Sequence, residues 1–96
     1  MKQIKPFEQV KIGDIAFENP DAGGEWNNEE GPIIWKGTFE EVLQSRYDSE
    51  LKEWEEYADA DLDELKECNF VAVDLEIYGS TLFTYDYDPC SVVCFE

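Results

Sequence analysis

The chain contains no histidine, and only seven of its 96 residues are basic. The first absence removes the commonest general base and metal ligand at neutral pH, and with it any Ser-His or Cys-His nucleophile pair. The second leaves little with which to contact phosphate, so direct binding to nucleic acid or to an anionic membrane is disfavoured. There is no glycine-rich phosphate loop. Gly23-Gly24 is followed by Glu25, where such a loop would place a lysine. No stretch approaches the roughly 18 apolar residues of a membrane span. Met1 to Phe7 is short, polar and followed by no apolar run, so no secretory leader is read there. The three cysteines, Cys68, Cys90 and Cys94, are an odd number without an export signal, the usage of reduced thiols in a cytoplasmic protein.

What the chain does have is carboxylate and aromatic side chains. Its 24 acidic residues give a formal net charge of −17. Solubility of a small domain usually takes a charge of about 2 to 8 in magnitude. The surplus opposes compaction through self-repulsion, yet an apolar fraction of 43% and an aromatic fraction of 15% are too high for a disordered chain. The expectation is a single folded domain, 1–96, with one modest core.

The periodicities arrange this domain as α+β. Alternation from Val10 to Phe17 reads as a first strand with a phase slip at Gly13. Asn19 to Gly31 is rich in breakers and reads as a long loop. Trp26, in its middle, is either a plug on the core or an exposed anchor for a partner. Ile33 to Trp35 makes a short second strand ended by Gly37. Thr38-Phe39-Glu40-Glu41 is a capping box, and Phe39, Val42 and Leu43 are the inward residues of the helix it opens. Ser49 can cap a second helix with Leu51, Trp54 and Tyr57 or Ala58 as its buried stripe. Asp61-Leu62-Asp63-Glu64 repeats the capping pattern, so a third short helix or a continuation of the second follows. Phe70 to Tyr78 is the clearest strand, Gly79-Ser80 fits a two-residue hairpin turn, and Thr81 to Tyr87 returns. Asp88-Pro89 turns the chain into a last strand, Cys90 to Phe95. The order is β-β-α-α-β-β-β: a small antiparallel sheet, with a C-terminal three-strand meander and the N-terminal strands, carrying two or three acidic helices on its Val71/Val73/Leu75/Ile77 face. That arrangement leaves Asp74, Glu76, Tyr78, Phe83, Tyr85 and Tyr87 on the opposite face.

Metal chemistry finds weak support. Asp59-Ala60-Asp61-Leu62-Asp63 resembles the first half of a calcium loop, but the pattern then places Glu64 where a glycine is needed and Phe70 where a bidentate glutamate is needed. Asp86 and Asp88 are a second short carboxylate pair of the same standing. Cys90 and Cys94 share a strand face by their even spacing, and Cys68 would bring a third thiol to a zinc site. The competing reading, preferred here, is that of small buried hydrophobes. No metal and no cofactor is expected, and no enzyme.

The dominant feature is Glu40 to Glu67, where twelve acidic residues face only Arg46, Lys52 and Lys66. Interleaved Val42, Leu43, Leu51, Trp54, Tyr57, Leu62 and Leu65 give the segment something to bury, so it reads as helix with an anionic outer face. A helix sets carboxylates at i and i+4 about 6 Å apart along its axis, and a strand sets alternate residues about 6.7 Å apart. Both lie near two rises of a duplex strand, whose phosphates recur every ~3.4 Å. The residues that would imitate phosphate are Glu50, Glu53, Glu56, Asp59, Asp61, Asp63, Glu64 and Glu67, with Asp74 and Glu76 from the strand. Trp26, Tyr57, Tyr78 and Tyr85 would supply aromatic anchors.

In size, charge and lack of catalytic signature, the chain resembles the small acidic DNA-mimic inhibitors of bacteriophages and mobile elements, the anti-restriction and anti-CRISPR proteins. The resemblance implies stoichiometric inhibition of a host defence nuclease, in the host cytoplasm, by occupation of its basic nucleic-acid groove. Two other classes fit the composition: an immunity protein that caps a basic nuclease toxin, and a protein–protein interaction module without a nuclease target. The partner in each case is a basic protein rather than nucleic acid or membrane.

Overall fold

A computed structural model describes residues 3–18, 30–57, 62–76, 78–86 and 91–96. Trp26, Asp59, Asp61, Tyr87, Asp88 and Cys90, together with most of the Asn19–Gly31 loop, lie outside the described residues, as does the side chain of Tyr57. The fold is α+β in the expected order, and its five strands close into a barrel. These are β1 (Ile15–Glu18), β2 (Glu30–Thr38), β3 (Asn69–Leu75), β4 (Gly79–Tyr85) and β5 (Ser91–Val93), neighbours in that order with β5 returning to β1. Three helices, α1 (Phe39–Leu43), α2 (Asp48–Tyr57) and α3 (Leu62–Leu65), lie between β2 and β3. None of the described helices is long and apolar enough to cross a membrane.

Closure explains why β3 is apolar on both faces. Val71, Val73 and Leu75 join Val10, Ala16, Ile33, Tyr85, Val92 and Cys94 in one buried cluster. Phe70 and Ala72, on the alternate face, join Leu82, the helical residues Phe39, Val42, Leu51 and Leu65, and Tyr47 from the turn between α1 and α2 in a second. The helices therefore cover the Phe70/Ala72 face, not the Val71/Val73/Leu75 face expected from the sequence. A closed sheet fills its own interior, so the apolar stripe of the helices goes to the outside of the wall.

The strands differ from expectation in register as well. Val10, with the segment after it, belongs to a turn instead of a strand. The Asp14 amide donates to the Lys11 carbonyl at 3.0 Å, and Gly13 has φ +99°, a conformation that favours glycine. The Asp14 carboxylate closes the same turn by accepting from the Lys11 amide at 2.9 Å. β2 begins at Glu30 and runs through Gly37. Pro32 is tolerated because pairing with β3 starts at Ile33, and Gly37 leaves room for the Trp35 ring, which a Cβ there would meet. A register shift between Ile33 and Trp35 leaves Ile34 bulged and bends β2 from β1 toward β3. In the β3–β4 hairpin Leu75 lies opposite Gly79 and Asp74 opposite Ser80, so Gly79 and Ser80 are paired strand residues and not the expected turn. Gly79 (φ +71°) opens the return strand. β5 runs parallel to β4, with Thr84 beside Ser91 and Tyr85 beside Val92, so the C-terminal strands are not a meander.

The N-terminal segment closes one end of the barrel. Lys5 donates its amide to the Cys94 carbonyl at 2.8 Å, and Glu96 donates to Gln3 at 2.9 Å. The Tyr85 hydroxyl donates to the Lys5 carbonyl and accepts from the Cys94 amide at 3.1 Å. The half-buried Lys36 ammonium lies 4.7 Å from the Phe7 ring centroid and donates to the carbonyls of Val10, at 2.7 Å, and Phe7, at 3.1 Å. Backbone carbonyls and an aromatic face thus serve a cation that, among the described residues, has no carboxylate within ion-pair distance.

Candidate partner-binding surface

The capping box forms as read. The Thr38 amide donates to Glu41 Oε1 at 2.9 Å, and the Glu41 amide donates to Thr38 Oγ1 at 3.4 Å. α2 begins at Asp48, one residue before the expected cap at Ser49. Its inward residues are Leu51 and Trp54, the latter packed on Phe70 with ring centroids 6.3 Å apart. This seating turns Glu53, Glu55 and Glu56 to solvent. α3 presents Asp63 and Glu64 outward, with Glu67 just after it, while Leu65 is buried. Asp74, Glu76 and Tyr78 are exposed at the hairpin, Tyr78 at 64%. The hairpin is tied to the helical layer by a 2.9 Å hydrogen bond between the hydroxyls of Tyr47 and Ser80.

Few cations interrupt this surface. Between Asp48 and Glu76 the sequence has twelve acidic residues and two basic ones. Both basic residues are paired within their own helical stretch, Lys52 with Asp48 at 3.1 Å and Lys66 with Asp63 at 3.0 Å. Arg46 lies over the Tyr47 ring, 5.4 Å from its centroid. Among the described residues, Glu53, Glu55, Glu56 and Glu67 have no cation within ion-pair distance.

Two residues assigned to this surface have other work. Glu50 Oε2 accepts from the Leu82 amide at 2.7 Å. Among the described residues β5 pairs with β4 at Thr84 and Tyr85, so the carboxylate satisfies a strand amide beyond that pairing. Tyr85 is 5% exposed and sits in the barrel cluster, so it is a closure residue and not an anchor. Burial pushes its hydroxyl up to about 12.

A cleft of about 360 Å³ opens between the end of α3 and the end of β4, lined by Glu64, Glu67, Cys68, Asn69, Tyr85 and Asp86. It adds Asp86 to the acidic side. In the sequence Asp86 stands out only as half of the Asp86/Asp88 pair. Its backbone is left-handed (φ +50°), a conformation aspartate tolerates better than most residues, and its amide donates to the Val92 carbonyl at 3.0 Å. Cys68 donates its thiol to the Glu64 carbonyl at 3.6 Å. Burial, with the charges of Glu64 and Glu67, raises its pKa, so the weakly nucleophilic thiol form prevails. Cys68 and Cys94 fall in different core clusters and do not form a common thiol site. Among the described residues, no group of three or more Cys, Asp or Glu side chains converges to hold a metal.

Fold and surface together define a small barrel whose outer helices display carboxylates. No family model, curated protein or solved structure matches the chain.

Proposed function

We propose that this protein is a non-enzymatic inhibitor of a nucleic-acid-binding enzyme, of the kind that blocks a host defence nuclease by filling its basic groove as a phosphate mimic. The observation that carries the reading is the set of exposed carboxylates Glu53, Glu55, Glu56, Asp63, Glu64 and Glu67 on helices fixed to a barrel wall, continued by Asp74 and Glu76 at the hairpin. The backbone that carries these carboxylates is ordered before binding, so that part of the entropy cost does not fall on the encounter. Basic grooves release condensed anions when such a surface enters, as they would for DNA, so the interaction weakens steeply with salt.

The test is affinity capture from bacterial lysate at low and high salt, followed by competition of the captured target with duplex oligonucleotide. The proposal expects a basic nucleic-acid-binding protein that is retained at low salt, released at high salt and displaced by the duplex. A target that binds the protein and the duplex simultaneously contradicts it.

A further inference from the structure

Helix α2 (Asp48–Tyr57) is held to the barrel by few contacts and carries a heavy charge. Among its described side chains only Leu51 is buried, and Trp54 is half-buried where it packs on Phe70, with ring centroids 6.3 Å apart. One hydrogen bond adds to these, from the Leu82 amide of β4 to Glu50 Oε2 at 2.7 Å. Helices shorter than ~12–15 residues are marginal alone in water, so a helix of ten residues depends on its contacts with the wall. If those contacts part, the helix melts as it leaves.

Charge works against the same contacts. α2 has five carboxylates and one lysine, net −4 of the chain's −17, which leaves −13 on the body it sits against. Coulomb repulsion between the two opposes closure. Glu50, Glu53 and Glu56 follow one another at i, i+3 spacing, where like charges repel. The last turn holds Glu55 and Glu56 and no basic residue, the wrong sign for the negative end of the helix dipole. Detachment with melting relieves all three. The barrel bears no such load. Residues 3–17 and 30–38 carry three acidic and three basic side chains, and β3, β4 and β5 together carry one charge, Asp74. The turn before α2 is fastened separately: Tyr47 is buried, its hydroxyl is bonded to that of Ser80 at 2.9 Å, and its amide donates to Ser45 Oγ at 3.1 Å.

We infer that α2 is a flap hinged at Tyr47, which opens while the barrel stays folded and is closed by cations. The closed form is the one in the structure. Salt favours it by screening the repulsion between helix and barrel, and a polycation favours it by binding the denser charge of the closed form. The inference goes beyond the proposed inhibition and involves no nuclease, so its failure would leave that reading standing.

The test is amide hydrogen exchange followed by NMR in ~0.01 M and ~1 M sodium chloride, between which the Debye length falls from about 30 Å to about 3 Å. The amides of Leu51 and Trp54 report the helix, that of Leu82 the bond to Glu50, and those of Val71 and Val73 the barrel. At low salt Leu51, Trp54 and Leu82 are expected to exchange at least ~10-fold faster than Val71 and Val73, and within ~3-fold of one another. Leu82 discriminates most sharply, because it is a strand amide whose acceptor is on the helix. High salt, or ~1 mM spermine at low salt, should slow these three amides at least ~10-fold. Screening also lets hydroxide approach an anionic protein, which speeds exchange, so a slowing cannot come from that source. A Glu53→Gln/Glu55→Gln/Glu56→Gln variant should already exchange slowly at low salt and respond to salt by no more than ~3-fold. The inference is overturned if the three amides exchange no faster than Val71 and Val73, if Leu82 follows the barrel, if salt or spermine fails to slow them, or if the variant opens as readily as wild type.

Discussion

The barrel interior and the helical surface share a wall but are built from different materials. On the inner side of β3, Val71, Val73 and Leu75 meet other apolar side chains, and the Tyr85 hydroxyl set among them is hydrogen-bonded. On the outer side, a thin apolar layer carries helices whose solvent faces are almost wholly anionic. The contrast separates two tasks that a chain of charge −17 otherwise sets against each other. Cohesion is concentrated where charge is absent, and charge is concentrated where few contacts depend on it. Substitutions inside the wall should therefore cost stability, and those on the helices should cost binding.

The largest effect should come from Tyr85→Ala, which removes a buried ring and the hydrogen bonds of its hydroxyl to Lys5 and Cys94. A loss of about 3–5 kcal/mol is expected from urea unfolding. The same site sets an alkaline limit. Burial pushes the Tyr85 hydroxyl from 10.0 up to about 12 and the Cys94 thiol from 9.0 up to about 11. The fold favours both neutral forms, so their contribution is full below pH 9 and is lost as pH rises from there through about 12. The urea midpoint should fall across that window, and Tyr85→Phe should remove the upper part of the fall. Gly31→Ala comes next, because a Cβ there runs into the Asp74 carbonyl of the neighbouring strand, and strand backbone yields little. Its cost should be roughly 2–3 kcal/mol by the same measurement.

Glu50 lies on the border between the two regions. Glu50→Ala leaves the Leu82 amide without its acceptor and should cost about 1–3 kcal/mol, although the residue belongs to an acidic helix. The smallest effects belong to Glu53→Gln, Glu55→Gln and Glu56→Gln, each within about 0.5 kcal/mol of wild type. Equal costs for Glu50 and Glu53 would dissolve the distinction drawn here.

The parts of this arrangement that could be read from the sequence are those written locally. Thr38 and Glu41 carry a helix start in four residues, and the alternation through Val71, Val73 and Leu75 carries a strand. Period-2 alternation shows that β3 has two faces without saying which one looks into a barrel, so the helices were expected on the wrong one. The parallel approach of β5 to β4 depends on a return path that no local pattern encodes. Gly79 was read as a turn residue because its conformational freedom suits one; here the same freedom is used at the start of a strand. On the candidate surface, helical spacing sorted Glu53 and Glu56 outward from Leu51 and Trp54 inward. Spacing is blind to Glu50, whose partner is 32 residues away, and to Tyr85, whose partner Lys5 is 80 residues away. Ile34 was expected in an ordinary strand, and its exposure follows from a bulge that only pairing with β3 defines.

The central claim, that carboxylates on a rigid wall stand in for nucleic acid, is tested most directly by a Glu53→Gln/Glu55→Gln/Glu56→Gln/Glu67→Gln variant. Its fold is first verified by circular dichroism and its urea midpoint. Its affinity for the captured target is then measured across a salt series in competition with duplex oligonucleotide. The account predicts binding at least ~10-fold weaker than wild type, with a flatter salt dependence. A folded variant that holds the target as tightly as wild type, and excludes the duplex as well, would contradict it.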